Sequence, residues 1–178
     1  RSGTQADRLK DKFDLKHIST GDVFRYNIKN NTDLGILAKS FMDKGDLVPD
    51  EVTINMLKEE VNRFPEANGF IFDGFPRTIS QAEALDDFLQ EKGESISGMV
   101  ALEVPENLLV ERLLERGKTS GRPDDQDETK IRNRFNEYET KTAPLKDYYL
   151  NQNKYFGIDG VGSIEDITER LAEVFNTL

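Results

Sequence analysis

The segment Phe70-Ile-Phe-Asp-Gly-Phe-Pro-Arg77 constrains the fold of this 178-residue chain more than any other. Three consecutive apolar residues bounded by polar sequence read as a buried strand of a parallel sheet, since a half-exposed strand would alternate. The aspartate that follows falls at the strand's C-terminal end, where open α/β sheets bind their ligands. Asp73 there suits a magnesium ion held through water, and Gly74 lets the backbone turn sharply beside a ligand. Arg77 then presents a planar fork matched to phosphate oxygens. The same pattern also fits a plain strand-end turn whose aspartate caps a helix and whose arginine is solvated.

Around this segment helical and strand periods alternate, which predicts an α/β fold: a parallel sheet flanked by helices, in one domain over 1–178 without linker or repeat. Strands are expected at Lys16–Ile18, Phe70–Phe72, Met99–Val104 and Tyr155–Ile158. Helices are expected over Thr4–Phe13, Val23–Lys29, Thr78–Lys92, Pro105–Arg116, Glu128–Tyr138 and Pro144–Leu150. Thr32 reads as the cap of another helix, with Leu34, Leu37, Phe41 and Met42 turned inward and Gly45 as its stop. Pro49-Asp50 opens the next, with Val52, Leu57 and Val61 on its inner face, and Ser163 with Asp166 forms a capping box for the last. Gly117 to Asp127 is polar and glycine-bearing, hence a loop.

Charge narrows the partners. With 24 Lys plus Arg against 34 Asp plus Glu, a net of −10, neither nucleic acid nor an anionic membrane is expected as the main partner. A small anion is a different matter, because five of the arginines (Arg112, Arg116, Arg122, Arg132, Arg134) crowd one short stretch. Zero cysteines exclude disulfides and thiolate metal sites. The apolar runs are too short to cross a bilayer and no secretory pattern opens the sequence, so a cytoplasmic location is expected.

Two further constellations carry chemistry. Ser19-Thr-Gly-Asp-Val-Phe-Arg25 is a strand-to-helix turn whose backbone N–H groups and Thr20 hydroxyl can bind an anion or a base edge, and it equally fits an ordinary N-cap. His17, the only histidine, lies beside an apolar strand, and a structural role is expected of it. Arg112 and Arg116 stand four apart on one helix face, where like charges cost roughly 0.2–0.5 kcal/mol, and with Glu111 and Glu115 to soften this the pair also fits a solvated face. Gly121-Arg122 in the loop, followed by Arg132 and Arg134, would let several forks converge on closure. Phosphoryl transfer needs such positioning, charge neutralisation and exclusion of water.

Asp73-Gly-Phe-Pro-Arg77, Ser19-Thr-Gly-Asp22, Arg116-Gly-Lys-Thr-Ser-Gly-Arg-Pro-Asp-Asp125 and Thr142-Ala-Pro144 together, in this order, resemble the adenylate kinases in their short-lid form. The resemblance covers nearly the whole chain. It implies a P-loop NTPase-like core, a helical AMP-binding segment over 19–48, a short lid over 117–127, and reversible conversion of ATP and AMP to two ADP with Mg²⁺. It implies an AMP site of Thr20, Arg25, Leu47, Val48, Gly74, Arg77 and Gln81, with Arg122 and Arg134 bridging to the moving phosphoryl group. Gly3, Thr4, Arg112, Arg116 and Gly162 would meet ATP, and Arg77, Arg116, Arg122 and Arg134 would serve the transfer itself. Arg132 is the alternative to Arg134, because the spacing from Arg122 is one residue longer than the family's. Asp73 would support the metal through water, no zinc is expected without cysteines, and the enzyme would act as a monomer.

The resemblance thins at the N-terminus. The family's Gly-rich loop ends Gly-Lys-Gly-Thr-Gln, whereas Arg1-Ser-Gly-Thr-Gln5 puts Ser2 at the lysine's position, and the strand before the loop has no counterpart in this sequence. A chain of this extent is expected to catalyse poorly, for want of that lysine and the loop amides. A pyrimidine monophosphate kinase of the same architecture is a rival, although Thr20 after Ser19, and Gln81, fit the adenine pattern. A nucleotide-binding protein without turnover is another.

Overall fold

The structure, a computed structural model, describes residues 2–120 and 127–178. Their contacts divide the chain into two compact units, Arg1–Ile96 and Ser97–Leu178. Each holds one parallel two-stranded sheet with helices between and around its strands.

In the first unit the order is α1 (Ser2–Phe13), β1 (Lys16–Ser19), α2 (Thr20–Lys29), α3 (Asp33–Asp43), α4 (Asp50–Arg63), β2 (Phe70–Asp73) and α5 (Ile79–Glu91). Strand β1 pairs with β2 in parallel, Lys16 opposite Phe70 and Ser19 opposite Asp73, so both strands deliver their last residue to the same end. Parallel pairing demands a crossover, and α2, α3 and α4 supply it. The helices start where side-chain oxygens take up orphan backbone N–H groups: Ser19 caps α2, Thr32 caps α3 and Thr78 caps α5. The core is a contiguous cluster in which Ile18, Val52, Met56, Leu57 and Val61 pack with Ala38, Leu85 and Leu89. Burial of each large member is worth about 1.5–3 kcal/mol.

Helix α3 keeps Leu34 against the core and Phe41 half-buried as expected, but its other two inward positions depart from the expectation. Leu37 and Met42 are exposed, and the buried positions are Gly35 and Ala38. Gly35 lies so close to α2 that a Cβ there would stand 2.0 Å from the Asn27 carbonyl oxygen. Close approach of the two helix backbones therefore outweighed the apolar stripe. Buried Asn27 completes the corner: its amide donates to the Val23 carbonyl (2.8 Å) and its side-chain oxygen accepts from Thr32 Oγ1 (2.6 Å). Helix α2 also begins earlier than expected, at Thr20, because the cap is Ser19 itself.

The second unit contains β3 (Met99–Glu103), α6 (Glu106–Ser120), α7 (Glu128–Leu150), β4 (Tyr155–Asp159) and α8 (Ile164–Phe175). Strand β3 pairs in parallel with β4, Met99 opposite Tyr155 and Glu103 opposite Asp159. Val110, Ile131, Leu145, Tyr149 and Leu171 are its buried anchors. Helix α6 runs four residues past the expected Arg116, with Gly117 buried inside it, so 117–120 are helical rather than loop. Asp127 caps α7, which is one helix where two were expected. Pro144 removes one rung of its hydrogen-bond ladder, yet the helix continues because Leu145 and Tyr149 beyond it are buried. Ser163 and Asp166 form the expected capping box at the start of α8.

Candidate functional site

The paired ends of β1 and β2 bring two turns side by side. Ser19 and Asp73 are register partners, and Thr20 Oγ1 donates to the Asp73 carbonyl oxygen at 3.2 Å, which ties one turn to the other. Gly74 follows with φ +82°, a conformation that favours glycine, and a Cβ built there would stand 3.6 Å from an Arg77 guanidinium nitrogen and 4.0 Å from Thr20. Thr20, Gly74 and Arg77 thus converge on one spot. Arg77 is bent back on its own turn, its Nε–H donating to the Gly74 carbonyl at 2.9 Å.

Gln81, on the first turn of α5, faces the same turn. Its side-chain oxygen accepts from the Arg77 backbone N–H (2.8 Å) and its amide donates to Asp50 Oδ1 (2.7 Å). Ser80 Oγ donates to the other oxygen of Asp50 (3.1 Å). Arg25, one turn into α2, pairs with Asp22 and lies over Gly21, with its side chain 72% exposed. Leu47 is 93% exposed, whereas its neighbour Val48 is half-buried against the core.

The Asp73 carboxylate, 22% exposed, meets His17 Nε2 at 3.2 Å, and His17 Nδ1 meets Asp7 at the same distance. The sole histidine is therefore a bridge from α1 to the strand end. Among the described residues no cluster of three or more carboxylate and imidazole groups could hold a metal ion. A single carboxylate at a strand end still fits Mg²⁺, which keeps most of its waters and is usually bound through one or two carboxylates plus substrate phosphates.

In the second unit Arg112 and Arg116 lie exposed on α6, and Arg134 lies exposed on α7. Arg132 is engaged differently: it pairs with Glu128 (2.9 Å) and Glu106 (3.5 Å) and donates to Asn107 Oδ1 (3.2 Å), clamping α7 to α6. Its guanidinium pKa is raised, chiefly by the hydrogen bond to Glu128. Gly162 sits in the β4–α8 loop at φ +133°, beside Arg170, whose guanidinium donates to the carbonyls of Asp159 and Val161. Gly3 and Thr4 lie in the first turn of α1, and Arg122 lies outside the described residues.

Sequence reasoning missed Asp50, Arg170 and Asp7. Asp50 was visible only as a helix start, because its partner Gln81 is thirty-one residues away. No described helix is long and apolar enough to cross a membrane.

Comparison with known proteins shows the family. A family model described as adenylate kinase matches residues 2–154. Curated relatives named adenylate kinase include those of Flavobacterium psychrophilum (61% identical) and Flavobacterium johnsoniae (59%), each over 99% of this chain and 93% of the relative. That of Bacteroides fragilis is 49% identical over the same shares.

Proposed function

The chain belongs to the adenylate kinase family, and from that premise we propose which residues handle each nucleotide. As a family member it is an enzyme that transfers phosphoryl reversibly from ATP to AMP, giving two ADP. Neither the pyrimidine nor the non-catalytic alternative is favoured.

The AMP phosphate sits against Arg77 and Arg25, with Thr20 and Gly74 lining the turn and Leu47, Val48 and Gln81 on the base side. What carries this assignment is the convergence of Thr20, Gly74 and Arg77 where β1 and β2 end together. An arginine bent back on a glycine turn swings outward at little cost, since its bond to the Gly74 carbonyl is replaced by stronger, charge-assisted bonds to phosphate.

ATP is met by Arg112, Arg116, Gly162, Gly3 and Thr4, and Arg122 with Arg134 spans the transferred group. Arg134 is preferred to Arg132 by its place in Ile131-Arg-Asn-Arg134, and Arg132 is taken to clamp α7 to α6 through Glu128 and Glu106. Asp73 would hold, through water, the Mg²⁺ that accompanies ATP, and that ion would supply neutralisation of the phosphate charge. His17 keeps the Asp73 carboxylate in place while Asp7 steadies the imidazole. The 19–48 segment covers AMP, 117–127 serves as the lid, and the enzyme works as a cytoplasmic monomer. A coupled ADP-formation assay across AMP, CMP and UMP tests the reading. Turnover with AMP far above the other two is expected, and a preference for CMP or UMP would overturn it.

A further inference from the structure

We infer that Asp50 is a specificity-positioning residue: it fixes which way round the Gln81 amide points, and thereby selects adenine over a base with the opposite hydrogen-bond polarity. The inference rests on Gln81 facing the base, as proposed above.

A primary amide has an acceptor end and a donor end of nearly equal size, so only its partners decide its orientation. Gln81 has two partners of opposite character. The Arg77 backbone N–H can only donate, and it meets the side-chain oxygen at 2.8 Å. The Asp50 carboxylate can only accept, and it meets Nε2 at 2.7 Å. A flipped amide would set oxygen against carboxylate and N–H against N–H, losing both bonds and adding two repulsions. Ser80 Oγ holds the second carboxylate oxygen at 3.1 Å, so Asp50 is itself oriented.

Each amide end keeps one more valence beyond these bonds: a lone pair on the oxygen and an N–H on the nitrogen. An acceptor beside a donor complements adenine, whose exocyclic amine donates and whose ring N1 accepts. Hypoxanthine has nearly the same shape with the polarity reversed, an exocyclic oxygen that accepts and a ring N1–H that donates. It therefore needs the flipped amide that Asp50 forbids. An asparagine at position 50 could present either end, so it would tolerate both orientations of Gln81.

The test is the ratio of kcat/KM for AMP to that for inosine monophosphate. Asp50→Asn is expected to lower the ratio about tenfold, the order of one net hydrogen bond. Ser80→Ala, which leaves the carboxylate in place, is expected to lower it about two- to threefold. A purely structural Asp50, acting as a favourable charge in the first turn of α4, would shift the melting temperature and slow both substrates alike, leaving the ratio unchanged. Gln81→Leu separates the two levels of the argument. If it collapses the ratio while Asp50→Asn stays within twofold of the parent, Gln81 reads the base and the role given to Asp50 is overturned. If Gln81→Leu itself leaves the ratio intact, Gln81 does not face the base and both assignments fall.

Discussion

The strand-end turns of the first unit and the arginine-bearing helices of the second are built on different principles. In the turns each group is held by another: Thr20 on the Asp73 carbonyl, Arg77 on that of Gly74, Gln81 between Arg77 and Asp50, His17 between Asp7 and Asp73. On α6 and α7 the candidate cations Arg112, Arg116 and Arg134 stand on exposed helix surface, placed there by helical periodicity. A pre-arranged cluster loses little conformational entropy when ligand arrives, and any long side chain that ligand must newly fix costs about 0.5–1.5 kcal/mol. On the assignment proposed above, the first unit carries the AMP turn and the second carries the cations that meet ATP.

Replacing Arg77 by Ala should produce the largest effect, because it removes the proposed phosphate fork from the ordered cluster. A fall in kcat/KM for AMP of about 10²–10³-fold is expected, as for truncating one side of a charge-assisted pair. A variant within twofold of the parent would show that the turn cluster is only architecture. Next in size comes Arg134→Ala, expected to lower kcat at least tenfold, by analogy with other arginines that stabilise phosphoryl transfer. Its neighbour is the control: Arg132→Ala should spare kcat and lower the melting temperature, since Arg132 clamps α7 to Glu106 and Asn107. The reverse outcome would exchange their roles.

Asp73→Asn sharpens the comparison from inside the ordered cluster. Asparagine keeps an oxygen for His17 and removes only the charge, so turnover should fall and its magnesium dependence weaken while circular dichroism stays unchanged. Magnesium-dependent turnover equal to the parent's would remove Asp73 from the site. The smallest effect belongs to the second unit. Burial, and then its bond to the Glu103 carboxylate, push the Tyr155 hydroxyl up to about 12. A phenol that holds its proton more tightly in the folded chain contributes stability that is full below about pH 10 and is lost as pH rises toward 12. Unfolding followed across that window should decline less steeply in Tyr155→Phe. Identical alkaline limbs would mean that Tyr155 titrates alike in both states.

What the sequence made legible was local. Ser19, Thr32, Thr78 and Ser163 each announce a helix start, and each caps one. The Asp73–Arg77 turn could be read because its chemistry is consecutive in the chain. The burial of Gly35 and Ala38 in place of Leu37 and Met42 could not, because a close backbone approach at Gly35 leaves no trace in an apolar period. Gly117 inside α6 and Pro144 inside α7 misled for a related reason: both residues normally punctuate helices, and here burial along the same helices overrode them. Asp50 escaped because its meaning lies in a bond to α5 rather than in its neighbours.

The parallel pairing of β1 with β2 has a consequence for proteolysis. Leu47, almost fully exposed between α3 and α4, lies in the stretch that carries the chain from one strand to the other. A protease cutting there would remove no residue from the Lys16–Ser19 and Phe70–Asp73 ladder, yet it would divide that ladder between two peptides. Closing it would cease to be an internal event at an effective concentration of about millimolar order and become an encounter between fragments. The nicked protein should then melt at a temperature that climbs with its own concentration, a behaviour that follows from where one crossover happens to surface.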